Sequence, residues 1–321
     1  MTAIETHNLT KRYGDLCAVN DLNLSIDNEI YGLLGPNGSG KTTTVRMLTT
    51  LLLPTKGTAF ISGYNVAKDA ARVREKISYV PQDMAVDIRL TGRENVAFFA
   101  KLYGIHDRKE RSRRVDEALS VMNLSDRADD ITKTYSGGMR RRLELAQALV
   151  HEPEVLFLDE PTLGLDVVAR RTIWEHITSL RKLGMTILVT THHMDEADKY
   201  CDQVGIIKEG AVVKEGAPYQ LKTNMMKDVI LIRAECALPC SLPSGLVFIG
   251  KDDDEFMFAV EHGSQALPLL LRLFDQHGIR VHSSQVREPT LEDVFLQSVG
   301  TDNPDTSAFD YRQFRNMMWR R

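Results

Sequence analysis

Strict alternation in Leu22-Asn23-Leu24-Ser25-Ile26 sets apolar side chains on one face of an extended chain, which predicts a half-buried strand. Residues 3–30 as a whole read as short strands around a turn at Tyr13-Gly14-Asp15. The alternation then gives way to the apolar run Tyr31-Gly32-Leu33-Leu34, which breaks at a glycine-rich turn and resumes with helical spacing through Val45, Met47 and Leu48. After the turn Leu53-Pro54-Thr55-Lys56-Gly57, strands are predicted from Thr58 to Ser62 and over Ile77-Ser78-Tyr79-Val80, the second ending at Pro81-Gln82-Asp83. From Thr91 to Asp130 the spacing turns helical, with apolar positions at Val96, Phe99, Leu102 and Tyr103, then Val115, Leu119 and Val121-Met122. A further helix carries Leu143, Leu145, Ala146, Ala148 and Leu149. Val155-Leu156-Phe157-Leu158 and the run from Thr186 to Thr191 read as buried strands, separated by a helix over 167–183. Val204 to Ile207 and Ala211 to Val213 make a hairpin around Lys208-Glu209-Gly210 and close this part of the chain near Gly216.

Residues 222–300 have a different rhythm. Strands are predicted at Val229 to Ile232, Leu246 to Ile249 and Phe256 to Val260, with an acidic turn at Asp252-Asp253-Asp254 read as a solvated hairpin tip. An amphipathic helix from Gln265 to Gln276, a strand from Ile279 to Val286 and a helix from Leu291 to Val299 complete a small α+β domain. Leu291, Val294, Phe295 and Leu296 form an apolar stripe on that last helix. The tail, 301–321, is polar and then aromatic and basic, a composition that suggests disorder.

Composition narrows the class. The chain has 321 residues, 43% hydrophobic and 26% charged, as expected of a globular protein with a real core. A net charge of −4 argues against a protein that binds nucleic acid through its phosphate backbone. The run Arg108-Lys109-Glu110-Arg111-Ser112-Arg113-Arg114 is a solvated face at a helix start. No apolar run approaches the roughly 18 residues needed to cross a bilayer. Met1 to His7 lacks the basic and apolar regions of a secretory signal. Cys17, Cys201, Cys236 and Cys240 are scattered, which favours reduced thiols in the cytosol over a disulfide or zinc framework.

Chemistry concentrates at the turn after Leu34. Gly35-Pro36-Asn37-Gly38-Ser39-Gly40-Lys41-Thr42, followed by Thr43, is G-x-x-x-x-G-K-T between a strand and a helix. Glycines let the backbone bend closely around an anion, and the amides and the helix N-terminus face phosphates. In such a loop Lys41 reaches the β- and γ-phosphates and the Thr42 hydroxyl ligates Mg²⁺. Ser136-Gly137-Gly138 opens a second helix with uncovered amides, a weak anion site when read alone. Asp159-Glu160 ends a buried strand downstream of the P-loop, the Walker B arrangement, with Asp159 for Mg²⁺ and Glu160 to orient and deprotonate water. Spacing alone leaves other residues open: Tyr13 stacks on a base or fills core, Gln82 meets a metal-bound water or sits on the surface, and His192 touches a γ-phosphate or caps a loop.

Taken in order, these residues resemble the ATP-binding cassette (ABC) transporter ATPases over about residues 3–220. Tyr13 matches the aromatic loop, Gly35 to Thr42 Walker A, and Gln82 the Q-loop. Ser136, Gly137 and Gly138 match the signature, Asp159-Glu160 Walker B, Asp166 the D-loop and His192 the switch histidine. The resemblance implies an α/β P-loop NTPase cassette with a RecA-like core, an antiparallel β subdomain and a helical subdomain at about 91–150. That cassette occupies 1–220 and the accessory domain 222–300. It further implies ATP and Mg²⁺ as cofactors, Mg²⁺ held by Thr42, Gln82 and Asp159, and head-to-tail pairing with a second ATP-binding subunit, in a homodimer. Two departures stand out: Tyr135 and Met139 replace the family's commonest leucine and glutamine, and Asn28 replaces a turn glycine, where asparagine also tolerates positive φ. Tyr135 to Leu143 together with Pro289 to Leu296 look like the daunorubicin-resistance-type branch. That implies an ATPase subunit at the cytoplasmic face of the membrane serving an ABC-2-type permease, exporting a drug, lipid or other hydrophobic cargo. A soluble ABC ATPase acting on ribosomes or DNA would show tandem cassettes or a long coiled-coil insertion, and a low-turnover regulatory module would lack Glu160 or His192.

Overall fold

The computed structural model describes residues 2–225, 227–234, 245–252 and 255–299. Cys236, Cys240, the Asp253-Asp254 portion of the acidic turn, the side chain of Leu296 and the tail 301–321 lie outside the described residues. Contacts divide the chain after Pro218 into two units.

In the first unit β1 (Ile4–Tyr13) and β2 (Leu16–Ile26) pair antiparallel about a turn in which Gly14 takes φ +57. β3 (Ile30–Leu34) follows a turn where Asn28 takes φ +45, the conformation expected of an asparagine standing in for glycine. The chain continues through α1 (Lys41–Leu48), β4 (Lys56–Ile61), β5 (Tyr64–Asn65), α2 (Ala70–Lys76) and β6 (Ile77–Val80). The helical stretch is α3 (Gly92–Leu102), α4 (Arg108–Val121) and α5 (Gly137–Leu149). Thr91 and Glu94 form a reciprocal capping box on α3, and Asp107 caps α4 by accepting from Glu110 N, so the break between the helices has a local cause. Arg113 of the basic run pairs along α4 with Glu110 and Glu117. β7 (Val155–Asp159), α6 (Val167–Lys182), β8 (Thr186–Thr191), α7 (Met194–Tyr200), β9 (Gln203–Lys208) and β10 (Ala211–Gly216) complete the unit.

Six strands lie in the order β10-β9-β3-β8-β7-β6, all parallel except β10, while β2-β1-β4-β5 form an antiparallel sheet. Every residue of β3, β7 and β8 is buried, as a parallel sheet covered on both faces requires. One core cluster joins residues of both sheets, among them Ile4, Leu22, Ile26, Leu33, Val45, Phe157 and Leu188.

The second unit begins one residue into α8 (Pro218–Met225) and holds β11 (Asp228–Ala234), β12 (Val247–Asp252), β13 (Glu255–Val260), α9 (Gly263–Gln276), β14 (Val281–Arg287) and α10 (Leu291–Val299). Its antiparallel sheet runs β12-β13-β11-β14. Ala266, Leu270 and Phe274 of α9 pack on Ile230, Phe256 and Phe258, with Phe274 edge-on to both phenylalanines. Thr290 and Asp293 cap α10 reciprocally, and Leu291 and Val294 of its stripe are buried.

Candidate functional site

Strand order decides which residues meet. β3, β8, β7 and β6 are parallel neighbours, so their carboxyl ends share one edge of the sheet, where open α/β sheets bind ligands. Register keeps those ends level: Leu34 pairs with Thr191, Asp159 with Thr190 and Val80 with Leu158. The chain leaving that edge carries the P-loop after β3, His192 after β8, Glu160 after β7 and Gln82 after β6. A cavity of about 820 Å³ opens there, lined by Tyr13, Asn37, Gly38, Gly40, Lys41, Thr42, Thr43, Gln82, Glu160 and His192, and by Leu16, Ala18 and Leu163. Its size is within the range of small-molecule sites.

The loop beside it has little room for other residues. A Cβ on Gly35 would stand 2.4 Å from Ser39 Oγ and 2.6 Å from Ile207 O. Gly40 sits at φ +109, and a Cβ there would meet Ala18 O at 2.4 Å, so β2 closes on the loop at backbone distance. Lys41 is almost fully buried and its Nζ donates to Gly35 O at 2.7 Å and Pro36 O at 3.1 Å. Burial lowers its pKa, while Glu160 and Asp159 pull in the opposite direction. Ser39 Oγ is buried without a partner, so the loop retains an unused polar group.

Asp159 is 2% exposed; its Oδ1 accepts from Thr190 Oγ1 and its Oδ2 from Tyr79 OH at 3.4 Å. Tyr79 is pushed up to about 12, first by burial and then by the Asp159 charge. The next residue, Glu160, takes φ +48, unusual for a side chain of its size, and its amide donates to Thr190 O. His192 Nδ1 lies 3.1 Å from Glu160 Oε1. Thr42, Gln82 and Asp159 offer oxygen donors with a single carboxylate. That set suits Mg²⁺, which keeps waters and phosphate oxygens, better than a cation caged by protein alone. Among the described residues no group of three or more His, Cys, Asp or Glu side chains is placed to hold a metal ion.

The remaining predicted residues are elsewhere. Ser136 caps α5 by accepting from Met139 N at 3.2 Å, and Asp166 caps α6 by accepting from Ala169 N at 2.8 Å. Ser136, Gly138 and Asp166 line a separate pocket of about 470 Å³ with Met139, Arg142, Val168, Ala169 and Thr172. Gly138 is tied to this arrangement, because a Cβ there would stand 2.8 Å from Ala169 Cβ. The two surfaces share no residue. Tyr13 is 47% exposed at the cavity, which removes the core-filling alternative. Sequence reasoning did not find Leu16, Ala18 and Leu163 in the lining, nor Tyr79 and Thr190 on Asp159. Their pairing depends on strand register, which has no local signature.

A P-loop at the end of a buried strand, facing the ends of three parallel neighbours, defines a P-loop nucleoside triphosphatase. The chain belongs to the ABC transporter family of ATP-binding proteins. The ABC transporter profile matches residues 19–163, and that of the ATP-binding protein DrrA1-3-like C-terminal domain matches residues 216–299. The daunorubicin resistance ATP-binding protein DrrA3 of Streptomyces coeruleorubidus is 40% identical, over 94% of this chain and 97% of that one. The Nod factor export ATP-binding protein I of Burkholderia orbicola is 41% identical, over 94% and 98%. The solved dimer of the ATP-binding cassette MJ0796 in a post-hydrolysis state, bound to ADP and Pi, aligns with TM-score 0.60 and 28% identity, covering 67% of this chain and 98% of that one. The chain is an ATPase that uses ATP with Mg²⁺, an ATP-binding subunit of an ABC transporter. No helix among the described residues is long and apolar enough to cross a membrane.

Proposed function

We propose that this chain couples ATP-driven closure of a homodimer to a separate ABC-2-type permease, acting from the cytoplasmic face of the membrane to export a drug, lipid or other hydrophobic cargo. The observation that carries the dimer is the division of the predicted contacts between two surfaces. Lys41, Glu160 and His192 line one cavity, while Ser136, Gly138 and Asp166 line another. Two copies placed head to tail would bring one chain's α5 N-terminus to the other's cavity, where exposed amides find the γ-phosphate. The names of relatives, in drug resistance and Nod factor export, support an exporter; similarity across the accessory domain supports the same branch.

Within the cavity Tyr13 presents its ring for base stacking, and the amides of Gly38 and Gly40 with Lys41 Nζ receive phosphate oxygens. When bound, Mg²⁺ neutralises charge on the β- and γ-phosphates, with Thr42, Gln82 and Asp159 assigned to hold it. Glu160 accepts the proton of the attacking water, and His192, 3.1 Å away, fixes that carboxylate. Loss of the γ-phosphate removes the anion that joins the copies, so the dimer opens.

Glu160→Gln keeps the phosphate contacts and removes the base. It is expected to bind ATP, lower turnover about 100-fold or more, and elute as a dimer with ATP and Mg²⁺ in size-exclusion chromatography. Turnover at the parental rate would end the role given to Glu160.

A further inference from the structure

Arg141 lies within the run Arg140-Arg141-Arg142, yet it is only 3% exposed. Its guanidinium reaches two segments of chain outside its own helix. Nε donates to Pro161 O at 2.8 Å, Nη1 to Pro81 O at 2.9 Å, and Nη2 to Asp159 O at 3.3 Å. Nη1 also donates to Glu144 Oε2 at 2.8 Å, one turn further along α5. Glu144, equally buried, accepts from Ala85 N at 2.6 Å with its other oxygen. The pair therefore fastens both ends of segment 81–85, which carries Gln82, to segment 159–161, which carries Asp159 and Glu160.

A packing role alone would not select this pair. Two charges taken out of water cost more than a hydrophobic pair of the same volume, which generally packs as well or better. What a guanidinium adds is a rigid fork of donors that fixes several acceptors in one geometry. Here every acceptor belongs to α5, to the end of β7 or to a loop that follows a strand of the sheet, and Ser136 caps the same helix.

We propose that Arg141 and Glu144 are positioning residues for hydrolysis. They hold the Gln82 segment and the Glu160 segment in one register with α5, so that a shift in any one is carried to the other two. The inference rests on the catalytic role assigned to Glu160, and it adds a device for keeping that carboxylate aligned and for linking it to the helix that serves the second surface.

The test uses the full chain with Arg141→Lys and Glu144→Gln, assayed for steady-state ATP hydrolysis, binding of a fluorescent ATP analogue and thermal melting. Lysine is a point charge that cannot serve all these carbonyls, and glutamine keeps the size of Glu144 while removing its charge. Arg141→Lys, which keeps the charge, is expected to melt within about 5 °C of the parent. Glu144→Gln leaves the Arg141 charge buried without its partner and should melt roughly 10 °C lower, so turnover is read per folded molecule well below either transition. Each should bind the analogue within about twofold and turn over about 10- to 100-fold more slowly, with KM for ATP within about threefold. A packing role would lower the melting temperature as well but leave kcat per folded molecule unchanged, so kcat decides. Parental kcat in both variants would overturn the inference, and if Arg141→Lys fails to fold, Glu144→Gln decides on the same criteria. Glu160→Gln run alongside separates the two readings. If it is silent while these variants turn over normally, only the positioning role falls; if it turns over normally, the assignment of Glu160 falls instead.

Discussion

At the scale of the residue, His151 exposes a pH dependence that no motif predicts. Its ring stacks on Tyr103 with centroids 3.6 Å apart, and its Nε2 lies 2.9 Å from Ile77 O. A carbonyl only accepts, so Nε2 carries the proton; Nδ1, buried without a partner, is the bare nitrogen. A second proton would have nothing to bind, and burial is the leading cause that lowers the His151 pKa, against the pull of the Ile77 carbonyl. The unfolded ring binds its proton more tightly than the folded one. Stability from the neutral ring is therefore present above the ordinary value of 6.5 and lost as pH falls through the lowered folded value. The melting temperature should decline between about pH 7 and pH 5, and His151→Gln should flatten that decline. His176, lowered by the same cause, keeps the slope from vanishing. An identical slope in parent and variant would remove His151 from the account. Residues whose identity follows from local backbone chemistry, such as Gly35, Gly40 and Lys41, were legible in the sequence. Arg141 was not, because nothing in a run of three arginines distinguishes the buried one.

At the scale of the element, legibility follows length. β3, β7 and β8 declare themselves as apolar runs, and α6 fills four turns of regular spacing, close to its expected bounds. α2 and α7, seven residues each, are too short for a helical period to register, and the two-residue β5 has no period at all. The element with most at stake is the first turn of α5. Ser136→Arg removes its cap, at a cost of about 1 kcal/mol, and places a bulky cation over the amides of Gly137 and Gly138. Because Ser136 lines no part of its own chain's cavity, binding of an ATP analogue by the monomer should stay within about twofold, while hydrolysis falls at least about tenfold. Mixing it with Lys41→Ala chains should restore part of the activity. The mixed dimer then holds one site with an intact P-loop from one copy and an intact Ser136 from the other. Loss of monomer binding in Ser136→Arg would place Ser136 in its own chain's site and remove the reason for pairing.

At the scale of the whole molecule, the order of motifs along the chain was legible, but the strand order that gathers them was not. β8 lies between β3 and β7 although it follows both in sequence, and β9 lies on the other side of β3. These are long-range pairings, set by the sheet rather than by any local signal. The division of labour between the units is equally a property of the whole. All residues lining the two pockets of the cassette fall within Met1–Pro218, and that unit has its own core cluster. The second unit has a separate core built on Phe256, Phe258 and Phe274. As a hypothesis, the second unit supplies no nucleotide contact and serves assembly, either between two ATPase chains or with the permease. A chain ending at Pro218 should therefore fold and bind an ATP analogue with Kd within about twofold of the full chain, since ligand affinity depends on the groups at the site. Its sedimentation with ATP and Mg²⁺ in the Glu160→Gln background, or its capture by the permease, should weaken by at least about tenfold. A shortened chain that folds but cannot bind nucleotide would show that the second unit completes the site. One that binds, dimerises and is captured as well as the full chain would leave the second unit without a part in assembly.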